Sequence, residues 1–156
     1  MTLDPNWSDP KTSLEPPYFL DSLDGRGNIY YHYTSYARFC LIRRNYVLQA
    51  SNKDEDGNEK PSLCRIYVTD VAPYRFRKHP LVWSRAIFGR VRYITARSQK
   101  KIDYCVALNM SKLPIVGSRR KSHVFYVENI PFLPLKYNHD GTRWFRLVAH
   151  GKTKVF

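Results

Sequence analysis

Residues 29–51 change abruptly from a strand pattern to a helix pattern, and this change constrains the fold more than any other feature. Residues 29–34 read Ile-Tyr-Tyr-His-Tyr-Thr, and such aromatic and β-branched side chains favour a half-buried strand. Ser35 follows as a typical N-cap, and Asn45 is predicted to end the helix because asparagine tolerates a left-handed backbone. Apolar side chains recur at helical spacing at Tyr36, Phe39, Ile42 and Tyr46, which predicts a buried stripe. His32 therefore lies near the end of a strand, just before a helix begins.

A second predicted strand carries another candidate site residue. Residues 64–73 read Cys-Arg-Ile-Tyr-Val-Thr-Asp-Val-Ala-Pro, in which Tyr67 is central and Asp70 and Pro73 are typical of a strand end. A strand histidine such as His32 usually does no more than hydrogen-bond a neighbour. Its interpretation as a functional residue therefore depends on this second stretch.

Together the two stretches resemble the ADP-ribosyltransferases, specifically the diverged His-Tyr-Asp class of toxin-like domains. The resemblance depends on Tyr-His-Tyr-Thr-Ser at residues 31–35 and on Ile-Tyr-Val-Thr-Asp at residues 66–70. Weaker similarity continues through residues 104–113 and 124–131. It implies an α+β fold, a split β-sandwich in which two antiparallel sheets and one or two helices surround a NAD cleft. Independently, the many short strands and the lack of a βαβ rhythm favour an α+β domain.

The resemblance also implies roles for the matched residues. NAD⁺ would be the co-substrate, and no metal ion would be needed. His32 would hydrogen-bond a ribose, the backbone of Tyr33 would hold the carboxamide, and Thr34 and Ser35 would complete the binding segment. Tyr67 would stack on the nicotinamide ring, which a cationic heterocycle favours physically.

A carboxylate would then stabilise the positive charge that develops on the ribose. Asp70 matches the class motif, three residues after Tyr67, although strict alternation would place its side chain on the other face of the strand. Glu128 lies on a later predicted strand, where better-known members of the superfamily carry a glutamate. We name Asp70 first and Glu128 as the alternative.

Three functions are compatible with these residues. The first is a mono-ADP-ribosyltransferase that transfers ADP-ribose from NAD⁺ to a protein or nucleic-acid acceptor. The second is a domain that binds NAD⁺, ADP-ribose or nucleic acid without turnover, because the chain departs from the class pattern at Asn45 and at Arg65 and Ile66. The third is a basic RNA-binding or structural protein. Release of nicotinamide from NAD⁺ distinguishes the first from the other two.

The charge of the chain favours acidic partners. It contains 26 Lys and Arg residues against 13 Asp and Glu residues, a formal net charge of +13, which attracts nucleic acids and acidic proteins. Residues 74–101 interleave cations with aromatic side chains, a pattern that suits phosphates with stacked bases. Such a pattern equally occurs where a basic protein simply places arginines on its surface.

Cysteine usage and hydropathy bear on the compartment. Cys40, Cys64 and Cys105 lack the close spacing of zinc or redox motifs, so we expect reduced thiols in the cytoplasm or nucleus. The first residues show no secretory pattern, and no apolar run is long enough to cross a membrane. A toxin domain delivered by a larger machine would have the same features.

One domain is expected at residues 18–149, between an extended proline-rich arm at 1–17 and a basic tail at 150–156. The acidic segment 52–61 is predicted to be an exposed loop. Its residues resemble the first half of a calcium loop, but the later bidentate glutamate is missing, which argues against a metal site. Further predicted elements are a helix at 80–88, strands at 102–110 and 123–130, and a hairpin within 135–149.

Overall fold

A computed structural model describes residues 11–13, 19–89, 100–139 and 142–155. The helices and strands within these residues are, in chain order, β1 (Lys11–Ser13), α1 (Phe19–Ser22), β2 (Ile29–Thr34), α2 (Tyr36–Asn45), β3 (Val47–Gln49), β4 (Arg65–Thr69), α3 (Pro73–Lys78), α4 (Pro80–Phe88), β5 (Tyr104–Asn109), β6 (Val116–Gly117), β7 (Val124–Glu128), β8 (Phe132–Pro134), β9 (Lys136–His139), β10 (Thr142–Phe145) and β11 (Leu147–Lys152). The predicted α+β class is confirmed. Arg90, Arg92 and Arg97 of the predicted basic stretch lie outside the described residues, as does most of the predicted arm.

In the described part of the chain, seven strands form the main sheet, in the order β1-β11-β5-β2-β4-β7-β6. Neighbouring strands are antiparallel except for β1 and β11, which are parallel. β2 lies at the centre and pairs with β5 along its whole length, from Ile29 opposite Asn109 to Thr34 opposite Tyr104. Two further pairs, β3 with β8 and β9 with β10, form small antiparallel sheets.

A hydrophobic core covers each face of the main sheet. Tyr31 and Tyr33 of β2 join one core, together with Phe76 of α3. Val106 and Leu108 of β5 join the other core, which includes Phe39 and Ile42 of α2. Because β5 is covered on both faces, its sequence is an almost continuous apolar run rather than an alternating one.

The structure confirms helix α2 but changes two details of its prediction. The Ser35 hydroxyl accepts a hydrogen bond from the N–H of Arg38, as an N-cap should. The left-handed residue at the other end is Tyr46 (φ 51°), not Asn45, and its N–H bonds the carbonyl of Ile42 at 2.8 Å. Tyr36 is 59% exposed instead of buried, because the first turn of α2 lies at the protein surface. The ring of Tyr36 lies beside that of Tyr104.

Four helices are present within the described residues, more than the one or two that the resemblance implied. α4 begins at Pro80 and ends before Gly89 (φ 85°), as predicted. The unpredicted helices α1 and α3 have 4 and 6 residues, too few for helical periodicity to be visible in a sequence. Pro73, which was interpreted as a strand end, occupies the first turn of α3.

Both predicted termini contain part of the main sheet. β1, within the predicted arm, pairs with β11, and β11 continues to Lys152, so residues 150–152 of the predicted tail belong to a strand. The predicted late hairpin is formed by β9 and β10. None of the helices within the described ranges is long and apolar enough to cross a membrane.

Candidate functional site

A cleft opens where β2 and β4 separate. Among the described residues, these strands share one registered pair, Tyr31 opposite Thr69. Beyond it, the His32 side chain spans the gap, with Nδ1 2.8 Å from the carbonyl oxygen of Tyr67. Because a carbonyl only accepts, Nδ1 carries the hydrogen, and Nε2 is left as an acceptor in the neutral ring.

The electrostatic surroundings of His32 favour this neutral form. Burial lowers the pKa of His32, the bond to the Tyr67 carbonyl raises it in part, and the positive charge of Arg38 lowers it further. The pKa therefore lies below the usual 6.5, and the imidazole is predominantly neutral at pH 7.

The cleft has a narrow cavity and a wide chamber, which adjoin each other. The narrow cavity, of about 210 Å³, lies between β2, β4, residues 53–57 and the end of α4. The wide chamber, of about 810 Å³, extends towards α2, β3 and β8. Residues shared by both linings mark the junction: His32, Tyr33, Ser51, Lys53, Phe88 and Lys101.

Tyr67 forms one wall of the narrow cavity, and two hydrogen bonds hold its hydroxyl. Its hydroxyl donates to the carbonyl of Lys53 at 2.8 Å and accepts from Nη1 of Arg65 at 3.4 Å. Partial burial raises the pKa of Tyr67, Arg65 counteracts this effect, and the negative charge of Glu55 adds to it. The phenol is therefore neutral at physiological pH, with its ring fixed edge-on to Tyr126.

Residues 53–57 form the opposite wall, and their turn is held by its own polar groups. The Asp54 carboxylate accepts from the backbone N–H groups of Asp56 and Asn58, at 3.0 and 2.9 Å. These bonds, of which the one from Asn58 has the larger effect, lower the pKa of Asp54. The predicted exposed loop is therefore an ordered wall of the cleft.

Lys121 ties this loop to helix α4. Its Nζ donates to the carbonyl of Glu55 at 2.7 Å and to the carbonyl of Ile87 at 3.4 Å. The same Nζ lies 3.6 Å from the Asp56 carboxylate, which also pairs with Arg120. One ammonium group thus fixes the distance between two walls of the narrow cavity.

The residues predicted to bind the cofactor all line this cleft. His32, Tyr33 and Tyr67 line the narrow cavity, and Thr34 and Ser35 line the wide chamber. The Tyr33 hydroxyl donates to the carbonyl of Val71 at 2.6 Å, so its side chain belongs to the core. What Tyr33 can offer a ligand is therefore its backbone.

The two predicted carboxylates, Asp70 and Glu128, lie outside the linings of both chambers. Asp70 accepts a hydrogen bond from Nδ1 of His123 at 2.8 Å, one position past the pair formed by β4 and β7. Glu128 faces Arg65 across the same strand pair, with a carboxylate oxygen 3.2 Å from Nη2. Each of the two carboxylates thus has a partner across the β4–β7 pair or just past its end, and neither lines the cleft.

The carboxylates that line the narrow cavity are Asp54, Glu55 and Asp56. They were not predicted as site residues, because a loop has no periodicity that would orient its side chains. One signal did mark them: they are three consecutive acidic residues in a strongly basic chain.

Comparisons with known proteins leave the family of this chain open. No family model matches the sequence, and no curated protein matches it. One solved structure with some similarity is that of Agrobacterium protein 6b, a protein that disturbs plant cell proliferation. It shares 16% sequence identity, the match covers 94% of this chain and 80% of that chain, and the TM-score is 0.44. Similarity at this level supports no statement about function.

Proposed function

We propose that this protein is a mono-ADP-ribosyltransferase that transfers ADP-ribose from NAD⁺ to a macromolecular acceptor. The observation that carries the proposal is that His32 and Tyr67, from the two motifs that resemble the class, line one cavity. On this proposal the fold is a split β-sandwich, and the gap between β2 and β4 is its NAD cleft.

The distribution of charge along the cleft suits the two ends of NAD⁺. Lys53 and Lys101 line both chambers. The narrow cavity adds three carboxylates to them, whereas the wide chamber, among the described residues, adds Arg38 and no carboxylate. NAD⁺ carries a positive nicotinamide ring and a negative diphosphate. We therefore place the nicotinamide in the narrow cavity beside Tyr67 and the diphosphate in the wide chamber, whose volume is typical of ligand sites.

The polar groups of β2 are suitably placed for such a substrate. Nε2 of His32 is an acceptor and would receive a hydrogen bond from a ribose hydroxyl. Past Tyr31, no described residue of β4 pairs with β2, so the backbone of Tyr33 can bind the carboxamide on that side. In the reaction, the bond between the ribose C1′ and the nicotinamide nitrogen breaks, and the electron pair leaves with nicotinamide. The acceptor then bonds to C1′ and loses its proton to water.

The acceptor we propose is a nucleic acid or an acidic protein. Arg38, Arg43 and Arg44 of α2 are exposed, and Arg38 lines the wide chamber. Phe132, 59% exposed, lines the same chamber and offers a flat apolar surface. Cations beside an exposed aromatic ring suit phosphates and stacked bases.

A second candidate function is a domain that binds NAD⁺ or ADP-ribose without turnover. It is favoured by one specific observation: neither Asp70 nor Glu128 lines the cleft. Under this alternative, NAD⁺ stabilises the protein in a thermal-shift measurement, and no nicotinamide is released.

The deciding experiment measures nicotinamide release and transfer of labelled ADP-ribose from NAD⁺ in a cell extract, with and without ribonuclease. The wild-type protein should release nicotinamide, and His32→Ala and Tyr67→Ala should abolish transfer. Tyr36→Ala is the matched control, because Tyr36 is exposed and lines neither chamber. Activity of both site variants at the wild-type level would contradict the site, and lack of release by the wild type would contradict the enzyme. Loss of labelling after ribonuclease treatment identifies RNA as the acceptor.

A further inference from the structure

The three carboxylates of the narrow cavity differ in what holds them. Asp54 is engaged by two backbone N–H groups, and Asp56 pairs with Arg120 and Lys121. These two side chains stabilise the loop itself. Among the described residues, Glu55, between them in sequence, accepts no such N–H bond, and its one ion pair is a long contact of 4.0 Å with Arg65.

Glu55 lies close to Tyr67, the residue whose ring we propose stacks on the nicotinamide. Its side chain is 14% exposed, and Oε1 lies 4.0 Å from Nη1 of Arg65. The same Nη1 donates to the Tyr67 hydroxyl at 3.4 Å, so one guanidinium group approaches both Glu55 and Tyr67. The Lys121 ammonium donates a hydrogen bond of 2.7 Å to the Glu55 backbone carbonyl, which fixes the backbone from which this side chain extends.

We propose that Glu55 is the carboxylate that faces the nicotinamide riboside of the substrate, in the role that the sequence assigned to Asp70 or Glu128. This inference rests on the proposed function. It follows from three facts. Glu55 lines the cavity with His32 and Tyr67, its neighbours are engaged in the loop, and Asp70 and Glu128 line neither chamber.

A carboxylate in this position stabilises positive charge throughout the reaction. In NAD⁺ the charge is on the nicotinamide ring. As the bond to C1′ breaks and the electron pair moves to the ring nitrogen, the positive charge moves to the ribose. A fixed negative group in a partly enclosed cavity lowers the energy of that transition state, because little solvent must reorganise.

A purely structural role for Glu55 is the alternative that the experiment must distinguish. As a partner of Arg65, Glu55 could simply stabilise the loop, and its removal would then affect NAD⁺ and ADP-ribose binding equally. ADP-ribose lacks the cationic nicotinamide. A carboxylate that faces that ring therefore affects the binding of NAD⁺ and not that of ADP-ribose.

The test uses Glu55→Gln and Glu55→Asp in the full chain, with Glu59→Gln as the control. Glu59 is an exposed carboxylate of the same loop that lines neither chamber. For Glu55→Gln we expect nicotinamide release to fall about 10²-fold or more, the effect typical of losing one electrostatic contact to a transition state. NAD⁺ affinity should fall severalfold by calorimetric titration, with ADP-ribose affinity unchanged. Glu55→Asp, which keeps the charge, should retain more activity than Glu55→Gln and serves if the latter does not fold.

The outcomes separate this inference from the proposed function. A wild-type protein that neither binds NAD⁺ nor releases nicotinamide overturns both. An active wild type with a fully active Glu55→Gln variant overturns the Glu55 assignment alone, as does loss of activity in Asp70→Asn with Glu55→Gln unaffected. If the wild type binds without turnover, the ratio of NAD⁺ to ADP-ribose affinity decides: a lower ratio in Glu55→Gln supports the assignment, and an unchanged ratio overturns it.

Discussion

The His32 imidazole bonds the Tyr67 carbonyl at 2.8 Å across the place where β2 and β4 separate. In a continuous sheet, a strand backbone would occupy this position. Here a side chain fills part of the gap, and the rest is the cleft. One hydrogen bond thus joins the two halves of the sheet and also sets which ring nitrogen of His32 accepts from a ligand.

The two functions of His32 should be separable by substitution. An asparagine at position 32 keeps a donor near the place of Nδ1 and removes the acceptor Nε2. We therefore expect the free energy of unfolding of His32→Asn to lie within about 1 kcal/mol of the wild-type value. The variant should nevertheless be inactive. His32→Ala leaves the carbonyl without its partner and should lose about 1–3 kcal/mol. Urea denaturation and nicotinamide release measure the two effects. Equal stability of the two variants would contradict a joining role for this bond.

The buried His150 should make the protein less stable as the pH falls. Burial lowers the pKa of His150 to about 4, and the charge of Arg43 contributes. In the unfolded chain the ring titrates near 6.5, so the folded state binds fewer protons at intermediate pH. The stability contributed by the neutral ring is present above pH 6.5 and is lost as the pH falls towards 4, by about 3 kcal/mol in total.

The matched variant for this effect is His150→Phe, which keeps a ring beside Phe39, whose centroid lies 5.7 Å away. The free energy of unfolding of this variant, measured in urea at several pH values, should depend less on pH between 6.5 and 4 than that of the wild type. A slope equal to that of the wild type would show that His150 is not the responsible group. His32, with its lowered pKa, contributes in the same direction, so some slope should remain.

The cationic lining of the wide chamber predicts a salt-dependent affinity for NAD⁺. Arg38 is exposed and lines this chamber, so Arg38→Ala should weaken NAD⁺ binding about threefold to fivefold at low salt and less at high salt. Arg85→Ala is the control of equal charge, because Arg85 is exposed on α4 and lines neither chamber. Titrations of both variants at two salt concentrations test the placement of the diphosphate. Equal weakening by the two substitutions would mean that only net charge matters.

The parts of the fold that a repeating pattern specifies were predictable. The strand before Ser35 and helix α2 follow from a change of periodicity, and α4 follows from Pro80 and Gly89 at its ends. Helices α1 and α3 were not predicted, because tertiary contacts hold them. The Asp21 carboxylate accepts from the Tyr74 backbone N–H at 2.9 Å, a contact between residues far apart in sequence.

The residues of the candidate site were likewise predictable only in part. His32 and Tyr67 were predicted because each belongs to a strand with a recognisable motif. The orientation of the Asp70 side chain was not predicted, because that orientation depends on a hydrogen bond with His123, 53 positions later in the chain. Glu55 was missed because the contacts that turn its loop towards the cleft come from Lys121, on a distant segment. Residues placed by long-range contacts are therefore the ones that this sequence could not reveal.

Lys121 gives the last prediction, because it holds together two walls of the narrow cavity. Its side chain is 11% exposed, and its ammonium group contacts the carbonyls of Glu55 and Ile87. Lys121→Met keeps the length of the side chain and removes these bonds, so we expect a loss of about 1–3 kcal/mol in stability. Hydrogen exchange should become faster in residues 53–57, and NAD⁺ affinity should fall with it. Lys152→Met removes the same charge from the exposed end of β11 and should change none of these quantities. Unchanged exchange in residues 53–57 of Lys121→Met would show that the loop keeps its position without the lysine, and that the Asp54 turn alone is sufficient to form this wall.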